Sequence, residues 1–160
     1  MLFDTHLHLI YPNKIGYPWL SEVAKLNKPY NYEEYEITAN RLGIDGCFHM
    51  EVDVSQSDIK NETAMLESLS NQPGSKIKGI ISACRPEQQG FDDFLNWASQ
   101  NTLIKGFRRV LHVVSDDVSQ NPLFRKNINL LGEHNFTFDI CARADQLPIV
   151  VELIDACPNV

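Results

Sequence analysis

Five short apolar runs, each followed by a segment in which apolar residues recur every three or four positions, set the rhythm of this chain. The runs at residues 2–9, 46–52, 77–83, 103–111 and 136–142 predict strands. The segments at 33–42, 57–70, 91–100, 123–133 and 146–156 predict helices, as the spacing of Met65-Leu66-Leu69 and Phe91-Phe94-Leu95 illustrates. Turn and cap residues fall between them: Asp45-Gly46 before the second strand, Pro73-Gly74 before the third, Asn121-Pro122 at the fourth helix. A repeated βα unit implies parallel strands joined by right-handed crossovers, either in a doubly wound sheet or in a (β/α) barrel. Periodicity alone does not separate the two.

One stretch breaks the rhythm. Residues 10–31 lack a strand or helix pattern and hold Tyr11, Tyr17, Trp19, Tyr30 and three prolines. A loop of that length directly after a first strand is usually functional or disordered, and its aromatic content predicts a folded loop over the strand end.

Composition narrows the partners. At 160 residues, 43% hydrophobic and 22% charged, the chain is long enough for one domain with a buried core. A formal net charge of -7 argues against nucleic acid or an anionic membrane surface, both of which are bound through clustered Lys and Arg. A small molecule is the expected partner. Asp4, His6 and His8 interrupt any apolar leader, and no run approaches the roughly 18 residues of a membrane span, so a cytoplasmic protein is expected. Cys47, Cys84, Cys141 and Cys157 form no C-x-x-C pair and read as reduced core residues.

The first strand carries the strongest chemical signal, Asp4-Thr5-His6-Leu7-His8. In a strand, residues i and i+2 share a face, so His6 and His8 should project together near its carboxyl end, with Asp4 below them. Two neutral imidazoles suit zinc or a similar divalent ion that takes further ligands from elsewhere, and a nearby carboxylate would hold a ring tautomer. The competing reading is a polar face on an edge strand. The flanking Leu2, Phe3, Leu7 and Leu9 argue for a central strand instead, where inward polar residues need a reason.

Further candidates lie at the carboxyl ends of the other strands, where barrel enzymes keep their active sites. Glu51 is a candidate base or hydrogen-bond acceptor, against a solvated rim residue; His49, deeper in the same run, reads as a hydrogen-bonded core histidine. Arg108 and Arg109 point to opposite faces of the fourth strand, and a guanidinium there can hold a substrate carboxylate or lactone oxygen bidentately, unless it is spent on a structural salt bridge. His112 follows on the loop, within reach of the site. Asp139 sits between Phe138 and Ile140 and needs a partner, for which a fourth-strand Arg is the natural candidate. Tyr17 and Trp19 are candidate stacking surfaces for a sugar ring, or else plugs on the core.

These segments resemble one family. The opening FDTHLHL is similar to the D-x-H-x-H signature of the amidohydrolase superfamily, metal-assisted hydrolases built on (β/α)8 TIM barrels. GYPWL at residues 16–20 resembles the amidohydrolase-related branch that includes sugar lactonases such as fuconolactonase. IKGFRRVLH at 104–112 is similar to that branch's fourth strand with its Gly-x-Arg motif, matched here by Arg108; FTFDICA and QLPIVVELIDACPNV are similar to its fifth strand and helix. The resemblance runs in order along all 160 residues. Lys105 precedes the Gly-x-Arg motif, but the carbamylated fourth-strand lysine of other amidohydrolases does not belong to this branch.

The resemblance implies an α/β fold of which residues 1–160 supply the first five βα units of one barrel domain. It implies His6 and His8 as metal ligands and Arg108 as a catalytic group; by their positions at strand ends and in the long loop, Glu51 joins as a catalytic candidate and Tyr17, Trp19 and His112 as candidate substrate contacts. The implied reaction is hydrolysis of a small, sugar-derived lactone by metal- or histidine-assisted water attack, with zinc the expected ion, although some members run lactone hydrolysis on the same histidines without metal. The branch's Asp-His-x-Gly strand and late Asp have no counterpart here, so the isolated chain is expected to be inactive and either to self-associate or to need a C-terminal half. A superfamily decarboxylase acting on an aromatic or unsaturated carboxylate, and a non-catalytic fragment or interaction module, remain open. A doubly wound phosphate-binding domain is disfavoured, because no Gly-rich loop follows the first strand.

Overall fold

In the computed structural model, which describes residues 1–160 throughout, strands and helices alternate: β1 (Leu2–Leu7), α1 (Tyr32–Leu42), β2 (Ile44–Met50), α2 (Ile59–Ser70), β3 (Ile77–Ala83), α3 (Phe91–Ala98), β4 (Ile104–Val110), α4 (Asp117–Gln120), α5 (Pro122–Glu133), β5 (Thr137–Cys141) and α6 (Leu147–Ala156). The sheet order is β1-β2-β3-β4-β5, and the pairs β1–β2, β2–β3 and β4–β5 are parallel. A doubly wound sheet must reverse its strand order at a switch point. Strands added one after another in one direction, each through a right-handed crossover, put every helix on the same side of the sheet. The fold is therefore an α/β half-barrel of five βα units, the arrangement of a partial (β/α)8 barrel. No helix is long and apolar enough to cross a membrane.

The chain divides into two compact units, Met1–Ala83 and Cys84–Val160. In the first, α1 begins where Asn31 Oδ1 accepts from the Glu34 N–H at 3.0 Å and ends at Gly43, whose φ of +69° is the left-handed cap geometry glycine adopts without a Cβ penalty. β2 starts at the next residue. The Asp45-Gly46 turn expected from sequence is thus displaced: Gly43 makes the turn, and Gly46 lies inside β2, where a Cβ would collide with the Phe3 ring. The buried Tyr32 hydroxyl accepts from the Lys76 N–H at 2.7 Å, tying α1 to the start of β3. Leu7, Leu9, Cys47, Leu66 and Ile80 are among the residues that fill this core.

The second unit has an aromatic core. Phe107 of β4 is fully buried, with the Phe94 and Phe136 rings 5.5 and 5.0 Å from its own, and Phe124, Ile128, Leu131 and Leu153 complete the cluster. α5 opens on Asn121, whose Oδ1 accepts from the Leu123 N–H at 2.8 Å, with Pro122 in the first turn where a missing N–H costs nothing. Buried Asn127 donates to the carbonyls of Pro86 and Gln88, fixing the loop after β3. The four-residue α4 has no sequence counterpart, since one turn is too short for a period to register.

Candidate active site

The strand ladder decides which way the first-strand residues point. Asp4 pairs with Cys47 and Leu7 with His49, so three steps on β1 oppose two on β2, the signature of a β-bulge. Cys47 and His49 face the helices: Ile80, the partner of His49, lies two residues before Ser82, whose hydroxyl is 3.2 Å from that of Thr63 in α2. Asp4 and Leu7 share that helix side, and His6 and His8 take the opposite face. Asp4 is therefore not below the histidines, as simple alternation implied. Its Oδ2 accepts from the Tyr35 hydroxyl of α1 at 3.1 Å, and its Oδ1 accepts from the His6 backbone N–H at 3.1 Å. The carboxylate fixes the backbone of the bulge rather than a ring tautomer.

His6 and His8 do lie together, their ring centroids 4.8 Å apart and nearly perpendicular. His8 Nδ1 is 2.9 Å from the Met50 carbonyl oxygen. A carbonyl can only accept, so Nδ1 carries a proton, and in the neutral ring the lone pair is the one on Nε2. A carbonyl that orients an imidazole in this way is the support that metal-ligating histidines use. The pair fits a divalent ion with two donors; no third His, Cys, Asp or Glu of this chain joins them.

The 10–31 loop is folded, as its aromatics predicted, around an antiparallel bridge between Ile10 and Tyr30. Trp19 is half-buried, and its Nε1–H donates to the Val52 carbonyl at 2.8 Å, fastening the loop beyond the end of β2. Tyr17 differs from the stacking surface the sequence suggested. It is 8% exposed, with its hydroxyl oxygen accepting from the Tyr11 N–H at 3.0 Å, so it anchors the loop and has no ring face for a sugar. Burial pushes its hydroxyl up to about 12 from 10.0. The unfolded chain loses that proton at lower pH than the folded one. Stability from this group is therefore complete below pH 10 and falls as pH rises toward 12. Alkaline unfolding followed by circular dichroism should move to higher pH in Tyr17→Phe relative to its own midpoint stability at pH 8; an identical alkaline limb would remove Tyr17 as a contributor.

His49 is fully buried, and its Nε2 accepts from the Leu9 N–H at 3.4 Å, the core histidine that its position in the run suggested. Glu51 is not a solvated rim residue; it is 1% exposed. Its Oε2 accepts from the Asp53 N–H at 2.7 Å, holding a turn in which Asp53 sits at φ +46°. That is strained backbone for a residue with a Cβ, and the short hydrogen bond offsets it.

In the second unit, Phe107 packs among the helices, so Arg108 points to the other face, directly opposite Asp139 of β5 in the ladder. Asp139 thus has the fourth-strand arginine neighbour its sequence position called for. Arg109 is buried, and its Nε and an Nη both donate to Glu87 Oε1, at 3.0 and 2.8 Å; the structural ion pair weighed for this motif belongs to it. Lys105 Nζ donates to the Thr102 carbonyl at the opposite end of β4 from His112.

The glycine of Gly106-Phe107-Arg108 has a steric reason. A Cβ at Gly106 would meet the Thr137 hydroxyl and stand 2.8 Å from the Thr137 carbonyl oxygen, an atom of the paired strand that cannot rotate away. Gly106→Ala should cost about 1–3 kcal/mol by overpacking. Urea unfolding measures this, and an unchanged midpoint would mean that β5 yields.

His112 lies exposed just past β4, with Nδ1 3.4 Å from Cys141 Sγ at the end of β5. Cys141 is partly exposed, whereas Cys47, Cys84 and Cys157 are buried; all four are free thiols. Arg143 was not singled out from sequence. Its Nη1 donates to the His112 carbonyl at 2.6 Å while Asp145 holds the rest of the guanidinium. Only the fold brings residues 31 positions apart into contact. The Met50 carbonyl was equally invisible, because no side-chain pattern announces a backbone acceptor.

A family model described as Amidohydrolase matches residues 3–160. An uncharacterized Sinorhizobium fredii protein, y4mH, is 23% identical over 177 residues, covering 99% of this chain and 59% of its own length. A crystal structure of a Burkholderia multivorans amidohydrolase with bound zinc superposes with a TM-score of 0.81 at 17% identity, over 99% of this chain and 55% of that one. A candidate 2-pyrone-4,6-dicarboxylic acid hydrolase from Pseudomonas putida superposes with a TM-score of 0.65 at 14% identity, over 98% and 53%. The chain therefore spans between half and three-fifths of the length of each of these three proteins.

Proposed function

Because the chain belongs to the amidohydrolase family, we propose that it forms the first five βα units of a barrel hydrolase that opens a small acidic lactone, sugar-derived or similar. The observation that carries the reading is the His6–His8 pair, two imidazoles side by side at the end of β1, the second ring oriented through Nδ1 by the Met50 carbonyl. Support for a divalent ion, zinc foremost, comes from this donor set and from the zinc bound by the Burkholderia relative. His6 and His8 would hold it, and when bound it would supply Lewis-acid polarisation of an acyl carbonyl and acidify water. Arg108 binds and orients a substrate carboxylate or the lactone oxygen through its planar fork. Glu51, buried on the Asp53 N–H, acts as a positioning residue for the turn beyond β2. Trp19, half-exposed over the same turn, borders the substrate. His112, exposed past β4, is a second substrate contact.

On this reading the active protein has eight strands, with three further βα units on the same chain or on a second one. α6 carries an apolar stripe suited to packing against them: Leu147, Val151 and Ile154 are 56%, 56% and 53% exposed. The test is turnover of a panel of sugar and dicarboxylic lactones, followed by acid release, with residues 1–160 alone and in the completed barrel. Lactone opening by the completed barrel only is expected. Release of CO2 from an aromatic carboxylate, with no lactone opened, would assign the protein to the decarboxylases instead.

A further inference from the structure

We infer that Cys141 and His112 form a reactive thiol–imidazole pair that exchanges with low-molecular-weight disulfides, making Cys141 a site of reversible mixed-disulfide modification. The inference is independent of the lactonase reading. It rests first on geometry: Sγ and Nδ1 are 3.4 Å apart, and the two residues are not left to find each other by chance. The N–H groups of Leu111 and His112 both donate to the Cys141 carbonyl, at 2.8 and 3.3 Å. Arg143, itself clamped by Asp145, grips the His112 carbonyl at 2.6 Å. Three contacts thus fix the His112 backbone beside that of Cys141.

Exposure is the second support. Cys47, Cys84 and Cys157 are buried, and burial pushes the Cys47 thiol up to about 11 and raises that of Cys157. Cys141 alone is both partly exposed and hydrogen-bonded to an imidazole. The charged groups around the pair are mixed in sign. Asp139 shares the face of Cys141 and stands opposite Arg108. Beyond the strand ends, Arg143 is paired with Asp145, and Asp116 accepts from the Gln146 amide at 2.7 Å. His112 is in direct contact with the sulfur, and its ring nitrogen is a base placed to take the thiol proton.

The chemistry balances without an added redox partner. The thiol proton moves to His112 Nδ1, and the thiolate attacks one sulfur of a small disulfide R–S–S–R. A Cys141 Sγ–S bond forms as the S–S bond breaks. The departing RS⁻ takes the proton from the imidazolium as RSH, and His112 returns to neutral. The mixed disulfide would stand on the face that carries Arg108, so modification would obstruct that surface reversibly.

The full chain, reduced and folded, is mixed with an aromatic disulfide reagent such as 5,5′-dithiobis(2-nitrobenzoate), and separately with glutathione disulfide; the labelled residue is mapped by mass spectrometry. One of the four thiols should react at least about ten-fold faster than the others, map to Cys141, and show a rate profile with its inflection below the roughly 8.5 of an ordinary thiol. Cys141→Ser should delete that phase. His112→Gln should slow it about ten-fold at neutral pH and return the inflection toward 8.5, and added imidazole should restore part of the rate, which a merely structural histidine would not allow. Labelling of Cys141 at the pace of the buried thiols, a wild-type inflection at or above 8.5, or a His112→Gln profile matching wild type would each overturn the pair. Should His112→Gln unfold, all four thiols would react together, and the wild-type inflection then decides.

Discussion

Replacing His6 and His8 together by alanine should abolish divalent-metal retention by the completed barrel and lower its lactone kcat/KM by about 10³-fold. The reason is local. His8 Nδ1 is committed to the Met50 carbonyl at 2.9 Å, so on the proposed reading Nε2 is the nitrogen that would hold an ion, with the His6 ring centroid 4.8 Å away to share it. On the proposed reading, removing both donors would remove the Lewis acid, whose effect on a transition state is several kcal/mol, and each 1.36 kcal/mol is about tenfold in rate. Metal content by elemental analysis and kcat/KM on one lactone read the two consequences separately. Full metal retention in the double variant would defeat the assignment of these donors. Loss of metal with activity intact would assign the histidines to metal binding and the chemistry to other groups.

Arg108→Lys should lower kcat/KM for a lactone bearing a carboxylate by about 10²-fold, and much less for a neutral lactone of the same ring size. A lysine keeps the charge but not the planar fork, so it cannot reproduce two parallel hydrogen bonds to a carboxylate. Arg108 stands on the face away from the helices, across from Asp139, so its loss leaves the Phe107 core in place and the variant should fold. Equal losses on the charged and the neutral substrate would mean that Arg108 acts on something other than the carboxylate. No loss on either would take it out of the site.

Much of the architecture is legible in the sequence. Apolar runs located all five strands because a strand covered on the helix side needs that composition whatever its neighbours. The Asn121-Pro122 helix start held because capping is settled within four residues. The histidines' shared face was readable for the same reason: Leu7 lies between them and i, i+2 geometry is local. Asp4 went wrong because a β-bulge is a property of two strands. Nothing in DTHLH says that three residues of β1 will oppose two of β2.

Local chemistry therefore determined the βα rhythm, the positions of the strands, the His6–His8 pair and the family resemblance that the family model bears out. Tertiary structure alone decided the rest. Sequential strand order selected the half-barrel over a doubly wound sheet. Burial turned Tyr17 into a loop anchor and put the Glu51 carboxylate on a strained turn. Strand register split two adjacent arginines between a buried ion pair with Glu87 and the face opposite Asp139, and brought Cys141 to His112 across 29 residues. The physical reason is range: periodicity and capping act within one or two turns, whereas a hydrogen bond between distant segments depends on a register that only the assembled sheet supplies.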